Sequence, residues 1–339
     1  MYKDNIFFKK EYSKMLKVEN LVKKFGDKYA VNDVSFSIGD GEIVGFLGPN
    51  GSGKTTTMNI ITGFLSYTSG TVTVGGYEIL ENPTEAKKYI GYLPDQPPLY
   101  PEMTVKEYLN FVYDLKGCTL NRQKHIMEIC EITKIVDIRG RLIKNLSKGF
   151  SQRVGIAQAL IGNPKIILLD EPTVGLDPKQ IIEIRSLIRA LGRDHTVIIS
   201  THILSEVQAV CDRILIMNKG RLAADERTDE LTNLMEGTKR VLAEICGNKK
   251  TVLESIRALD CVSYAESSKE IPGTDATLFK IESKDGADIR KQIFAMCAEK
   301  NMPIIGMETV SASLEDVFLN LTREKSAMSK KKAARLRTK

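Results

Sequence analysis

Residues 48–55 read Gly48-Pro49-Asn50-Gly51-Ser52-Gly53-Lys54-Thr55 and fit the spacing GxxxxGK(S/T). The short apolar run 42–47 leads into them and a helical stretch, 54–62, leads out, which is the strand–turn–helix setting a phosphate-binding loop needs. The glycines let backbone N–H groups turn inward onto phosphate oxygens, and the helix N-terminus adds its dipole. Lys54 is expected to reach the β- and γ-phosphates and the Thr55 hydroxyl to bind Mg2+, with Thr56 completing the cradle. A chance turn is the plain alternative, but the flanking strand and helix argue against it. A second apolar run, 166–170, ends in Asp170-Glu171. A buried strand delivers such acids to its carboxyl end, where α/β ligand sites lie. Asp170 then serves Mg2+, and Glu171 is placed to orient and polarise a water beside the γ-phosphate. By itself an acidic pair after a strand is often only a strand end and its loop.

Leu146-Ser147-Lys148-Gly149-Phe150-Ser151-Gln152-Arg153 reads locally as a helix start, with Ser147 as cap and an apolar run over 154–160. Together with the two motifs above, in this order, it makes the chain resemble the ATP-binding subunit of an ATP-binding cassette (ABC) transporter over about residues 16–235. The family's signature is usually LSGGQ followed one residue later by QR. The resemblance implies ATP and Mg2+ as ligands and ATP hydrolysis coupled to transport. It implies that Phe25 stacks on adenine, that Asp177 makes the dimer contact of the loop after the acidic pair, and that His202 contacts the γ-phosphate. Phe25 otherwise reads as a strand-end core residue, Asp177 as a cap for the helix begun by Pro178, and His202 as a structural histidine.

The sequence departs from the family pattern twice. The family's switch glutamine aligns with Asp95, next to Gln96, so either residue is a candidate for the metal-linked switch. The signature keeps Ser147 and Gly149 but carries Lys148 and Phe150, which implies altered affinity with function retained. Residues 91–109, the LSKGF form and Leu314-Glu315-Asp316-Val317-Phe318-Leu319 look most like export-type subunits that serve separate membrane permeases, in the multidrug and gliding-motility neighbourhood. One chain supplies the loop, the metal acid and the base, but nothing that covers the far side of the γ-phosphate. The expected partners are therefore a second cassette subunit, identical or related, and an integral membrane permease. No specific nucleic acid is expected.

Strand and helix alternate over 166–217, and a helix-rich block covers 104–162. This predicts an α/β cassette, a mixed and largely parallel sheet flanked by helices, with an inserted helical subdomain at about 96–163. The pattern changes after about residue 236 to strand 240–246, helix 249–259, strands 262–267 and 276–283, helix 287–300 and strand 304–310. That βαββαβ order is the split-βαβ, ferredoxin-like unit, and a last helix is expected at 314–322. The domains predicted are a flexible extension 1–14, the ATPase domain 15–235, the accessory α+β domain 236–325 and a basic disordered tail 326–339.

The 339 residues, 42% apolar and 27% charged, exclude a disordered or collagen-like chain and leave room for two domains. No apolar run approaches the eighteen or so residues of a bilayer crossing, and the first fourteen residues do not form a signal peptide. The expected location is cytoplasmic, peripheral on the inner face of the cell membrane. Six scattered cysteines without a CxxC pair read as free thiols, and three histidines make no metal cluster. Residues 323–339 hold eight Lys/Arg against one Glu, so the +6 net charge leaves the rest of the chain near neutrality. A nearly neutral body disfavours the alternative class, a soluble ABC ATPase acting on the ribosome or DNA. Long coiled-coil insertions and a second cassette, the marks of those proteins, are also missing from the sequence.

Overall fold

The computed structural model describes residues 15–230, 239–284 and 287–311. The expected helix at 314–322, the amino-terminal extension and the basic tail lie outside them. The chain divides into two compact units between Thr228 and Asp229, a little before the 235/236 boundary read from the pattern.

In the first unit the strands are β1 (Leu16–Phe25), β2 (Lys28–Ile38), β3 (Ile43–Leu47), β4 (Ser69–Val74), β5 (Tyr77–Glu78), β6 (Ile90–Leu93), β7 (Ile166–Asp170), β8 (Thr196–Thr201), β9 (Arg213–Asn218) and β10 (Arg221–Arg227). The helices are α1 (Lys54–Ile61), α2 (Pro83–Lys88), α3 (Val105–Leu115), α4 (Arg122–Ile132), α5 (Lys148–Leu160), α6 (Pro178–Leu191) and α7 (Leu204–Val210).

Strands β3, β7 and β8 are buried at every residue, so both faces must be covered, and such strands occupy the middle of a parallel sheet. The order is β10-β9-β3-β8-β7-β6; all neighbours are parallel except the β9–β10 hairpin. This parallel stacking brings the carboxyl ends of β3, β7 and β8 side by side, with the phosphate-binding loop following β3.

The first strands do not join that sheet. Strands β2-β1-β4-β5 form a separate antiparallel sheet: β1–β2 and β4–β5 are hairpins, which pair antiparallel, and β1 also pairs antiparallel with β4 across the intervening β2, β3 and α1. Helix α2 and strand β10 are further additions to the expected pattern. The β9–β10 turn, Lys219-Gly220, has both residues at positive φ, and polar Arg221, Asp225, Glu226 and Arg227 mask the strand signal of β10.

The helical block α3–α5 is held by local capping. Thr104 and Glu107 form a reciprocal capping box on α3, Asn121 caps α4 and Ser147 caps α5. The block meets the sheet where Gly91 of β6 sits beneath the end of α5. A Cβ at Gly91 would lie 2.2 Å from the Ala159 carbonyl oxygen, so only glycine allows this approach.

The second unit contains β11 (Lys239–Cys246), α8 (Lys249–Arg257), β12 (Val262–Glu270), β13 (Ala276–Ser283), α9 (Arg290–Glu299) and β14 (Ile304–Ser311). Its antiparallel sheet runs β12-β13-β11-β14, the split-βαβ arrangement. Val241, Ile245, Phe279 and Ile281 of the sheet pack on Val252, Ile256, Ile293 and Met296 of the helices.

Gly91→Ala should cost about 1–3 kcal/mol, because backbone must move to admit the methyl group. The measurement is the melting temperature, expected to fall clearly below that of the parent chain.

Candidate nucleotide-binding and hydrolysis site

Gly53, at φ 105°, is the N-cap of α1, a conformation that a side chain would strain, and a Cβ there would also meet the Ala30 carbonyl oxygen at 2.6 Å. The loop closes on itself through Ser52 N–H to the Pro49 oxygen (3.1 Å) and is tied to the β9–β10 turn by Gly220 N–H to the Ser52 oxygen (2.9 Å). Lys54, 5% exposed, donates from Nζ to the carbonyl oxygens of Gly48 (2.7 Å) and Pro49 (3.3 Å). Burial lowers its pKa, against the opposing charges of Glu171 and Asp170, which shows these three side chains to share one electrostatic environment.

Asp170 closes β7 at 1% exposure, and neither carboxylate oxygen has a hydrogen-bond partner. Burial raises its pKa most; the nearby Ser200 and Thr55 hydroxyls oppose this, the Asp95 charge adds to it by less, and Lys54 opposes it least. Ser200 lies opposite Asp170 in the β7–β8 register. Four of the six buried side-chain polar atoms without a partner among the described residues belong to Ser52, Asp170 and Ser200. Buried polar atoms are rarely left unpaired, so their concentration at the ends of β3, β7 and β8 marks a place built for a polar ligand. A carboxylate of this kind beside the Thr55 hydroxyl suits a hard divalent cation such as Mg2+.

Glu171 turns the chain out of β7 at φ 49°, a left-handed conformation uncommon for glutamate, with its N–H bonded to the Ser200 oxygen (2.9 Å). The turn directs its carboxylate at His202, whose Nδ1 lies 3.1 Å from each oxygen. Behind both loops stands Glu206 of α7, 4% exposed, which the sequence reading did not single out. Its carboxylate accepts from the Thr173 hydroxyl and from Thr201 Oγ1 (2.9 Å), joining the loop after β7 to the end of β8. The available signal was a carboxylate in the first turn of α7, five residues past Thr201.

Register locates the two switch candidates. Leu93 of β6 pairs with Leu169 of β7, so Asp95 lies just beyond the level of Asp170, and its charge reaches both Asp170 and Tyr92. Its neighbour Gln96 is exposed, as Asp95 is, and carries no charge. Phe25 ends β1 with its ring 55% exposed and the Lys23 ammonium 5.1 Å from the ring centroid.

A second group of predicted residues gathers elsewhere. Ser147 caps α5, its Oγ accepting from Phe150 N–H at 3.4 Å. Asp177 caps α6, its Oδ1 accepting from Gln180 N–H at 2.9 Å. Gly149 lies against Gln180; a Cβ there would come within 2.6 Å of that side chain. Lys148 reaches across to Gly175. Among the described residues no hydrogen bond or ion pair joins Ser147, Gly149 or Asp177 to the loop 48–56.

The site and fold define an ATP-binding cassette. The ABC transporter family profile matches residues 31–174. The chain is 33% identical to the linearmycin resistance ATP-binding protein LnrL of Bacillus subtilis (strain 168), covering 91% of this chain and 98% of that one. It is 35% identical to the bacitracin transport ATP-binding protein BcrA of Bacillus licheniformis, covering 91% and 97%. Among solved structures, a dimeric post-hydrolysis ATP-binding cassette bound to ADP and Pi superposes with a TM-score of 0.57 at 30% identity, covering 63% of this chain and 99% of that one. The chain belongs to the ABC transporter family: it is an ATP-binding subunit, an ATPase that powers transport.

Gly53→Ala is expected to weaken nucleotide binding at least about tenfold by distorting the loop. Titration with a fluorescent ATP analogue reads this out.

Proposed function

We propose that two copies of this chain, or this chain and a related one, close around two ATP molecules and drive a separate membrane permease, with export as the direction. The observation that supports it most is a division within the site. Each chain holds a one-sided triphosphate cradle, while Ser147 at the N-terminus of α5 is unconnected to the cradle of its own chain. A second copy would bring Ser147, Gly149 and Asp177 to the open side of the γ-phosphate.

In this reading the loop residues Gly48, Pro49, Asn50, Gly51, Ser52, Gly53, Thr55 and Thr56 bind the phosphates, and Phe25 stacks on adenine. Lys54 leaves the Gly48 and Pro49 carbonyls for the β- and γ-phosphates, replacing weak neutral acceptors by charged ones. Thr55, Asp170 and, in place of the family's glutamine, Asp95 would hold Mg2+, which when bound neutralises phosphate charge. Glu171 accepts the proton of an attacking water, and His202 holds the Glu171 carboxylate on one side and faces the γ-phosphate on the other. The partner copy's signature helix places its positive end where charge grows on the γ-phosphate.

Among the described residues no helix is long and apolar enough to cross a membrane, so transport needs a membrane partner. The relatives' roles, linearmycin resistance and bacitracin transport, favour an exported substrate and a peripheral position on the cytoplasmic face. The second unit is read as an accessory domain of the cassette.

Glu171→Gln should bind ATP and dimerise while turning over at least about a hundredfold more slowly. Near-normal turnover removes Glu171 from the role of base. Lys54→Ala should lose most ATP affinity in the same titration. Mixed dimers test the sharing directly: Ser147→Ala in one copy should impair the site built on the other copy's Lys54. Damage confined to its own copy's site overturns the shared arrangement. Co-purification with a membrane permease, against ribosomes or DNA, tests the partner.

A further inference from the structure

Helix α5 presents Ser147 at one end, so whatever fixes its other end also aims the signature. The last carbonyls of a helix have no partner within it, and α5 has no basic residue in its own last turn. They are satisfied from outside. Lys116, just past α3, donates from Nζ to the carbonyl oxygens of Gln158 (3.1 Å), Ala159 (3.2 Å) and Ile161 (2.8 Å). Three donors meet three acceptors, and a cation stands at the negative end of the helix. His125 of α4 holds the next residue, its Nε2 accepting from Gly162 N–H at 3.0 Å.

The same end of α5 is bonded to the nucleotide-binding core. Gln158 Nε2 donates to the Tyr92 carbonyl oxygen at 2.6 Å, and the Tyr92 hydroxyl donates to Asn59 Oδ1 of α1 at 3.2 Å. A continuous set of hydrogen bonds therefore runs from the helical block, through the end of the signature helix and strand β6, to the helix that opens at the phosphate loop.

We propose that Lys116 is a positioning residue for hydrolysis: its ammonium pins the carboxyl end of α5 to α3, and Gln158, Tyr92 and Asn59 reference that end to α1. The consequence follows from leverage. Thirteen residues of helix span about 20 Å, so a tilt of about 3° at the pinned end moves Ser147 by about 1 Å. A displacement of that size at a reacting centre can cost about a hundredfold in rate. The inference rests on the reading that Ser147 serves the other copy's nucleotide, and it adds the residue that aims it.

The pin carries its own signature. Burial lowers the Lys116 pKa to about 8, with the Cys118 charge working the other way. The titratable groups that reach it are Cys118 in the α3–α4 connection and His125 on α4, itself flanked by Glu128; the end of α5 offers only carbonyls. The ammonium is complete below about pH 8 and is lost as pH rises through that value, removing one donor and the charge.

The test uses the full chain and three measurements on each variant: MgATP affinity in dilute monomer, steady-state kcat and the pH dependence of kcat. Lys116→Met should lower kcat about ten- to a hundredfold with monomer MgATP affinity within about twofold of wild type. The wild type is expected to lose kcat above about pH 8, and the variant should abolish that fall. Gln158→Met, which cuts the link to Tyr92 and leaves the Gln158 carbonyl for Lys116, should lower kcat in the same direction while keeping the alkaline fall. Combined, the two should be clearly less than additive. Unchanged kcat in Lys116→Met, or MgATP affinity falling in step with kcat, overturns the proposal. Should Lys116→Met not fold, Gln158→Met decides, and an unchanged kcat there overturns it equally. Wild type is assayed first alongside the Ser147→Ala mixed dimers. Loss of the shared-site effect in those dimers rejects the underlying reading, whereas its presence with an inert Lys116→Met rejects only this one.

Discussion

The structure is arranged around a carboxylate that the fold leaves unsatisfied. Asp170 is driven to the end of β7 by four apolar residues before it, and there both its oxygens are buried without a hydrogen bond. An isolated buried carboxylate is costly, and the usual remedies are protonation, a partner cation or a ligand. The molecule keeps Lys54, Thr55 and Asp95 around it. The ladder of parallel strands fixes this spot, because β3, β7 and β8 end together and deliver the loop, the acid and Ser200 to one level. The remainder of the first unit positions side chains toward that level or holds α5, whose amino end carries the signature.

Much of this arrangement was legible in the sequence because its determinants are contiguous. The phosphate loop, the acidic pair and the signature each contain, within eight residues, both the chemistry and the turn that presents it. Their secondary structure was equally plain, since buried strands read as unbroken apolar runs and two of the helices carry Ser147 and Asp177 as caps. The βαββαβ order of the second unit was visible for the same reason. Placement of those motifs relative to one another is a different matter. That Asp95 lies just beyond the level of Asp170 depends on the β6–β7 register, which no local pattern states.

What escaped the sequence is non-local or polar. The separate β2-β1-β4-β5 sheet requires knowing which strands pair, and β10 hides its alternation under charged residues. Glu206 and Lys116 resemble ordinary surface charges until the loops and helix ends they satisfy are assembled around them. Gly149 shows the same limit in milder form. The sequence marks it only as a retained signature residue, and the structure adds a neighbour in its own chain, the Gln180 side chain on α6.

The bridge made by Glu206 has a mechanical meaning. With Thr173 on one side and Thr201 on the other bonded to a single buried carboxylate, the segments bearing Glu171 and His202 are welded into one jaw. On the roles proposed for Glu171 and His202, this common anchor would make the acid and its histidine move together.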